Sequence, residues 1–297
     1  METELKSEAS PDLRPASTRP RMLRGVVTRI FTLVMAIYGF FILMLVWLET
    51  SMVYPAPSVT RDSWERNDLQ YEDVHFTSAD GTSLHGWYFE HPQPRGQLLF
   101  CHGNAQHVAS LGDWISELRD AYQVSIFVFD YRGYGKSKGK PTEIGVLQDG
   151  EAAQRWLAGR ASIAENEVIV WGLSLGGGVA VHLASELGAK GLILDRTFHS
   201  IVEIAQSIYP WAPIRWLMRN RYPSAERIAK YRGPLLQIHG PSDEIVPFTS
   251  GKLLYDACPS PNKRFLELDD FGHLAPPTPE FYTAVGELLD SLDSSEM

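Results

Sequence analysis

The segment at residues 172–178, which reads GLSLGGG, constrains the fold of this chain more than any other segment. The apolar stretch EVIVWG precedes it and predicts a buried strand, and VAVHLASELGAK follows it and predicts a helix. A G-x-S-x-G pattern between a strand and a helix is typical of a nucleophile elbow, a sharp turn that exposes the serine hydroxyl above a sheet. Gly172 and Gly176 are predicted where a Cβ would clash in such a turn. Ser174 is therefore a candidate nucleophile, and a glycine-rich turn with an incidental serine is the alternative.

Two titratable residues further along the chain complete a possible catalytic constellation. A nucleophilic serine needs a general base, and the base needs an acid that orients it. Behind an elbow of this type, the acid precedes the histidine in the chain. Asp243 follows the predicted strand LLQIH, and His273 follows the predicted strand RFLEL. Because the carboxyl ends of parallel strands meet at one edge of a sheet, we expect Ser174, Asp243 and His273 to lie together as nucleophile, acid and base.

Each of these assignments has an alternative. Pro-Ser-Asp is good turn chemistry, so Asp243 also fits a plain turn residue. Asp195, which follows the predicted strand GLILD, is the rival acid. His273 also fits an ordinary loop histidine, although no other histidine follows the last predicted strand. Asp269 and Asp270 fit solvated turn residues better than the acid of a triad.

An acyl-transfer site also needs hydrogen-bond donors for the oxyanion that develops on the substrate. One expected donor is the backbone N–H of Leu175, the residue after the serine, and the other is the N–H of Asn104 or Ala105 in the loop after the strand QLLFC. His102 and His107 suggest metal ligands, but no set of Cys, His or carboxylates surrounds them at ligand spacing. We therefore expect neither a metal nor a cofactor.

Strands and helices alternate along most of the chain, which predicts an α/β fold with a mostly parallel sheet covered by helices on both faces. YEDVHFT and SLHGWYFE predict an opening hairpin. The later predicted strands are 97–101, 124–129, 167–171, 190–194, 234–239 and 263–268, and the predicted helices are 107–121, 143–159, 175–188, 248–257 and 279–292. The domain is therefore expected over residues 71–292.

Alternation stops at about residues 196–233, where we expect a small cap insertion. Its large apolar residues are Phe198, Ile208, Tyr209, Trp211, Ile214, Trp216, Leu217 and Met218. If some of them face the site, the acyl pocket is apolar. The alternative is ordinary packing of short helices on the core.

The N-terminus differs in kind from the rest of the chain. Residues 30–48, IFTLVMAIYGFFILMLVWL, form an uncharged apolar run long enough to span a bilayer as one helix. Its length and the lack of a small-x-small cleavage pattern favour a retained anchor over a signal peptide. The nearby arginines are Arg14, Arg19, Arg21, Arg24 and Arg29 before the run and Arg61 and Arg66 after it. This bias predicts that the tail at 1–29 is cytoplasmic and that the catalytic domain lies across the membrane. Residues 1–20 are rich in Pro, Ser, Thr and charge, which predicts a disordered tail, and residues 49–70 are expected to be a linker.

Composition excludes some classes of function. The net charge of −9 and the absence of a basic stripe interleaved with aromatic residues argue against a nucleic-acid partner. GYGKS is not a phosphate-binding loop, because Asp130 stands where that pattern requires its first glycine. Two cysteines make no disulfide framework, and we expect Cys101 and Cys258 to be packing residues.

Five motifs together resemble the α/β-hydrolases, in particular the membrane-anchored ABHD-type serine hydrolases, whose animal members include lipases and depalmitoylases. The motifs are CHGNAQ (101–106), DYRGYGKSKGKPTE (130–143), GLSLGGG (172–178), HGPSDEIVP (239–247) and FGHLAPP (271–277). The resemblance implies a serine hydrolase with Ser174 as nucleophile, Asp243 as acid and His273 as base. LDRTFHS (194–200) departs from the expected L-E-S-P-F-x-S, and we expect this difference to affect substrate contacts rather than the triad.

The expected activity is hydrolysis of carboxylic esters or thioesters with a small-molecule or lipid-like acyl group. The same triad also supports a serine peptidase. A non-catalytic, membrane-tethered interaction protein on the same scaffold is the alternative from a different class. That alternative does not explain why nucleophile, acid and base are all present.

Overall fold

The computed structural model describes residues 19–56, 64 and 66–293. The chain divides into two compact units, Met1–Trp47 and Leu48–Met297; the second is called the α/β unit below. Helix α1 (Arg19–Val53) begins in the first unit and ends in the α/β unit. Within the described residues it is the one helix long and apolar enough to cross a membrane, over Arg24–Val53. Residues 19–29 of the predicted disordered tail and residues 49–53 of the predicted linker are thus helical, because the apolar helix extends beyond the run at both ends. Residues 1–18 of the predicted tail lie outside the described residues.

The described part of the α/β unit contains an eight-stranded sheet in the order β1-β2-β4-β3-β5-β6-β7-β8. The strands are β1 (Glu72–Thr77), β2 (Ser83–Phe89), β3 (Gln97–Cys101), β4 (Ser125–Asp130), β5 (Ile169–Leu173), β6 (Gly191–Asp195), β7 (Leu235–His239) and β8 (Lys263–Glu267). The hairpin β1-β2 joins β4 antiparallel, and all pairs from β4 to β8 are parallel. The predicted α/β architecture is confirmed.

Helices cover both faces of this sheet, as its continuous apolar strands require. The main helices are α2 (Val108–Tyr122), α3 (Glu143–Ala161), α4 (Leu175–Glu186), α8 (Phe248–Ala257) and α9 (Pro279–Asp293). Helices α3, α4 and α8 contribute to one buried cluster with Leu99, Phe127 and Val170. Helices α2 and α9 contribute to the other cluster with Phe100 and Trp171. The helices thus pack on both faces of the sheet, and its parallel strands all have their carboxyl ends at one edge.

The expected cap contains three short helices, α5 (Ile201–Ile208), α6 (Ile214–Leu217) and α7 (Ser224–Ile228). Its apolar residues divide into two groups. Phe198 is buried in the core beside α4, whereas Trp216 is 88% exposed and Ile208 is 60% exposed. Trp216 therefore neither packs on the core nor walls an enclosed pocket.

Candidate active site

Ser174 stands at the junction of β5 and α4, at the carboxyl edge of the sheet. Its backbone has φ 52° and ψ −116°, a region that non-glycine residues rarely adopt. Three hydrogen bonds hold it there: its N–H donates to the carbonyl of Asp195 at 2.9 Å, and its own carbonyl accepts from the N–H of Gly177 at 2.9 Å and from Oγ1 of Thr197 at 2.7 Å. The surrounding structure thus imposes the strained turn that an elbow requires.

The glycines of the motif allow two close backbone approaches. A Cβ on Gly172 would overlap the carbonyl of Gly176, and a Cβ on Gly176 would overlap the carbonyl of Cys101 at the end of β3. The expectation that both positions exclude a side chain is confirmed. Because Gly176 has no side chain, the backbone that follows β3 packs directly against the serine turn.

The structure brings the three predicted triad residues together. Nε2 of His273 lies 3.0 Å from Oγ of Ser174, and Nδ1 of His273 lies 2.8 Å from Oδ2 of Asp243. Because an ionised carboxylate only accepts hydrogen bonds, this network assigns the ring proton to Nδ1 and leaves Nε2 free to accept the serine proton. The arrangement is that of a nucleophile, a base and an orienting acid.

Asp243 is a buried carboxylate with several donors. Its Oδ1 accepts from the N–H groups of Ile245 at 2.9 Å and Val246 at 2.8 Å. Burial opposes ionisation of Asp243, but hydrogen bonds from His239 and His273 outweigh burial and hold its pKa well below the usual range of an aspartate. The carboxylate is therefore charged at neutral pH and fixed for the imidazole.

The rival acid, Asp195, has a different partner. Both of its carboxylate oxygens accept from the adjacent Arg196, from Nε at 2.8 Å and Nη2 at 3.0 Å. Nη1 of Arg196 donates to the backbone carbonyls of His273 at 2.9 Å and Ala275 at 2.8 Å. Arg196, within the LDRTFHS segment, thus contacts the loop that carries His273, a link to the triad that the sequence pattern did not predict. The expected effect of this segment on substrate contacts stays a prediction.

The loop after β3 carries the expected second oxyanion donor. Gly103 lies close to Ser174, since a Cβ on Gly103 would stand 3.5 Å from that of the serine. Ala105 has φ 56°, and the N–H of Gly103 is already bonded to Oε1 of Gln106 at 2.8 Å. Among the described residues, the N–H groups of Leu175, Asn104 and Ala105 have no acceptor in the protein. They are available to a substrate oxygen.

Sequence reasoning missed what holds Asn104. Its Nδ2 donates to the backbone carbonyl of Val53 at 2.7 Å, and its Oδ1 accepts from the hydroxyl of Tyr134 at 2.8 Å. Val53 is the last residue of α1, so the chain that leaves this helix contacts the oxyanion loop. The neighbouring Tyr54 is buried and bonds to Tyr222 through their hydroxyl groups at 2.9 Å. No sequence pattern signals a contact between residues so far apart along the chain.

The other histidines have structural partners. His102 is buried, with Nδ1 at 2.8 Å from the carbonyl of Gly103, and His107 caps the N-terminus of α2. The three described residues whose ligand atoms lie close enough for a cation are Asp73, His75 and His85. Nε2 of His85 already bonds to Asp73 at 2.6 Å.

Two exposed apolar residues adjoin triad residues in the sequence. Leu274 follows His273 directly and is 85% exposed, and Ile245, two residues after Asp243, is 51% exposed. The surface groove lined by Arg155, Ile163 and neighbouring residues lies at the amino ends of the strands and contains no triad residue. The surface around the triad, which includes the segments of Leu274 and Ile245, is therefore the candidate substrate site.

Comparisons with known proteins find several relatives of this chain. Residues 92–226 match the family model described as "Serine aminopeptidase, S33". An uncharacterised protein of Mycobacterium tuberculosis is 39% identical over 206 residues, which cover 69% of this chain and 73% of that protein. The α/β hydrolase domain-containing protein WAV2 of Arabidopsis thaliana is 32% identical, over 70% of this chain and 74% of that protein.

Solved structures share the fold at lower identity. The Pyrococcus furiosus esterase Pf2001 superposes with a TM-score of 0.65 at 22% identity, over 80% of this chain and 98% of that chain. Acetyl xylan esterase 1 of Thermoanaerobacterium superposes with a TM-score of 0.61 at 18% identity, over 83% of this chain and 92% of that chain. The strand order, the serine turn and the relatives together show that this chain belongs to the α/β-hydrolase superfamily.

Proposed function

We propose that this protein is a membrane-anchored serine hydrolase that cleaves carboxylic esters or thioesters of apolar acyl groups. The observation that carries the proposal is the hydrogen-bonded chain from Oγ of Ser174 through His273 to Asp243, at 3.0 and 2.8 Å. It lies on a strained turn beside two groups of uncommitted backbone donors. A binding scaffold has no need for this arrangement.

The proposed reaction passes through an acyl-enzyme. Oγ of Ser174 attacks the substrate carbonyl carbon while Nε2 of His273 takes the hydroxyl proton. The N–H of Leu175 and that of Asn104 or Ala105 stabilise the oxyanion. The bond to the leaving group then breaks, and His273 protonates the departing alcohol or thiol. Water repeats the sequence on acyl-Ser174 and releases the free acid.

The apolar rim of the site supports the substrate class. Leu274 and Ile245 expose hydrocarbon beside the base and the acid, where an acyl chain would replace water. Among the relatives in solved structures, Pf2001 and the acetyl xylan enzyme are described as esterases. The matched family model, described as a serine aminopeptidase, favours a peptidase as the second candidate. Ester and amide substrates separate the two.

Membrane anchoring is the part of the proposal that rests on α1. We propose that the apolar run at residues 30–48 is retained, with the N-terminus in the cytoplasm and the α/β unit on the other side, because five arginines precede the run. Resistance of the full chain to carbonate extraction supports a retained anchor. A mature chain that begins just after Leu48 would show a cleaved signal instead.

The test of substrate class uses the full chain, with its active sites counted by fluorophosphonate titration. We expect kcat/KM for p-nitrophenyl esters to rise with acyl length from about two to eight carbons, because each buried methylene contributes up to about 0.8 kcal/mol, or nearly fourfold. Leu274→Ser should flatten this slope, whereas Leu253→Ser, at an exposed leucine on α8, should leave it unchanged. A steep preference for acetate, or hydrolysis of aminoacyl anilides alone, contradicts the proposal.

A further inference from the structure

The cap carries an exposed cluster of large apolar side chains. Trp216 is 88% exposed, Ile208 60%, Trp211 50% and Leu217 37%. They lie on or beside α5 and α6, which Arg215 joins through its ion pair with Glu203 at 2.7 Å. The cap surface is defined here as Ile208, Trp211, Arg215, Trp216 and Leu217. Exposed apolar residues are ordinary when they are scattered singly, whereas four large ones within residues 208–217 are typical of an interaction site.

Basic residues are interleaved with this apolar cluster. The segment Trp211–Arg221 reads WAPIRWLMRNR, in which the apolar residues 216–218 separate Arg215 from Arg219, and Arg221 follows two residues later. The side chains of Arg215 and Arg219 are 61% and 66% exposed. Arg215 pairs with Glu203 and Arg219 with Glu49, so each arginine is held at the surface by a carboxylate. Tryptophan, leucine and arginine together are typical of a segment that lies in the headgroup region of a bilayer.

Hydrogen bonds join the end of α1 to the backbone that follows this arginine-rich segment. Glu49 follows Leu48, the last residue of the apolar run, and is buried in the α/β unit. Its Oε1 accepts from the backbone N–H groups of Arg219 and Asn220, each at 2.8 Å. The backbone two residues after Leu217 is therefore bonded to the residue that follows the proposed span. If the bilayer ends near Leu48, the backbone that directly follows the cap surface lies beside the point where the chain leaves the bilayer.

We infer that the cap surface rests in the headgroup region of an anionic lipid bilayer, the same bilayer that α1 enters. Trp216, Leu217 and Ile208 lie at the depth of the acyl–headgroup boundary, and Arg215 binds lipid phosphates. This inference rests on the membrane anchoring in the proposed function and not on the reaction. A second copy of the chain is the competing occupant, since apolar surfaces also form interfaces between subunits.

The test places an environment-sensitive fluorophore on the cap surface of the full chain. Trp216→Cys and, independently, Ile208→Cys are labelled with a nitrobenzoxadiazole probe; both native cysteines are buried. Asn166→Cys is the matched control, because this exposed residue lies at the amino ends of the strands, away from the cap. The proteins are reconstituted in phosphatidylglycerol–phosphatidylcholine liposomes that contain doxyl-labelled lipid. We expect at least ~2-fold stronger quenching at 216 and 208 than at 166.

The outcomes separate the possible occupants. Weak quenching at 216 and 208, equal to that at 166, in protein that floats with the liposomes overturns the inference. A blue shift that grows with protein concentration without doxyl quenching indicates a second copy and also overturns it. Quenching that is unchanged in pure phosphatidylcholine or in Arg215→Gln contradicts the role of anionic lipid. Failure of the full chain to float contradicts the anchor itself, whereas ester hydrolysis without quenching contradicts this inference alone.

Discussion

Nη1 of Arg196 donates a 2.9 Å hydrogen bond to the backbone carbonyl of His273. The same guanidinium is held by the buried carboxylate of Asp195 and lies 4.3 Å from the ring centre of Phe271. Arg196 therefore connects the edge of β6 with the loop that carries His273, the proposed base. It contacts backbone carbonyls of that loop and the ring of Phe271, so we expect it to act by positioning the imidazole.

We expect Arg196→Met to lower kcat about 10- to 100-fold with little change in KM, because a small displacement of the base costs this much. Arg196→Lys should recover part of the loss. The measurement is kcat per active site titrated with fluorophosphonate. Unfolded protein does not react with the titrant, so partial unfolding alone does not change this value. Arg264→Met, which removes an exposed ion pair with Glu287, is the control. An unchanged kcat for Arg196→Met contradicts the positioning role.

Asp243 and Asp195 should respond differently to neutralisation. Asp243→Asn should reduce kcat about 10⁴-fold. The asparagine holds the imidazole in the wrong tautomer and provides no negative charge to stabilise the imidazolium that forms in the reaction. Asp195→Asn should lower the free energy of unfolding by about 3 kcal/mol, because it leaves the buried Arg196 without its counter-ion. Its effect on kcat per active site should be smaller by at least ~100-fold. If Asp195→Asn is the more severe variant in kcat, the acid assignment is wrong.

The depressed pKa of Asp243 predicts how stability depends on pH. An unfolded aspartate has a pKa near ~3.9, and the folded carboxyl lies well below it, so the unfolded state binds more protons as the pH falls below about 4. The stabilisation is fully present above that pH and is lost on acidification. The difference in unfolding free energy between the wild type and Asp243→Asn, measured by denaturant titration, should therefore shrink below pH ~4. For Leu253→Ser, which changes no titratable group at an exposed position on α8, the difference should stay flat.

The bond between Asn104 and Val53 predicts that the end of α1 supports the oxyanion loop. Asn104→Ala should lower kcat about tenfold, because it removes the hydrogen bonds of the Asn104 side chain to the Val53 carbonyl and the Tyr134 hydroxyl, which hold the oxyanion loop. The inhibition constant of a boronic acid, which resembles the tetrahedral intermediate, should rise in parallel while KM changes little. Tyr231→Phe, at a buried tyrosine elsewhere, is the control. A lower melting temperature without any change in the boronate constant would indicate a purely structural role.

The sequence predicts the parts of this molecule that follow local rules. The serine turn and the positions of Asp243 and His273 can be predicted because each comes just after an apolar strand, and parallel strands end at one edge. The contacts of Arg196 with the histidine loop and of Val53 with Asn104 join distant parts of the chain, and no periodicity encodes them. The exposure of Trp216 was equally hidden, because composition does not show which way a short helix faces.

Labelling of Ser174 by a fluorophosphonate tests the central claim most directly. Intact-mass analysis of the full chain should show one covalent adduct, and peptide mapping should place it on Ser174. Ser174→Ala should abolish both the adduct and ester hydrolysis without changing the melting temperature by more than a few degrees, since the serine hydroxyl supports no element of the fold. Absence of an adduct on the folded wild-type protein, or an adduct that persists in Ser174→Ala, would contradict the account.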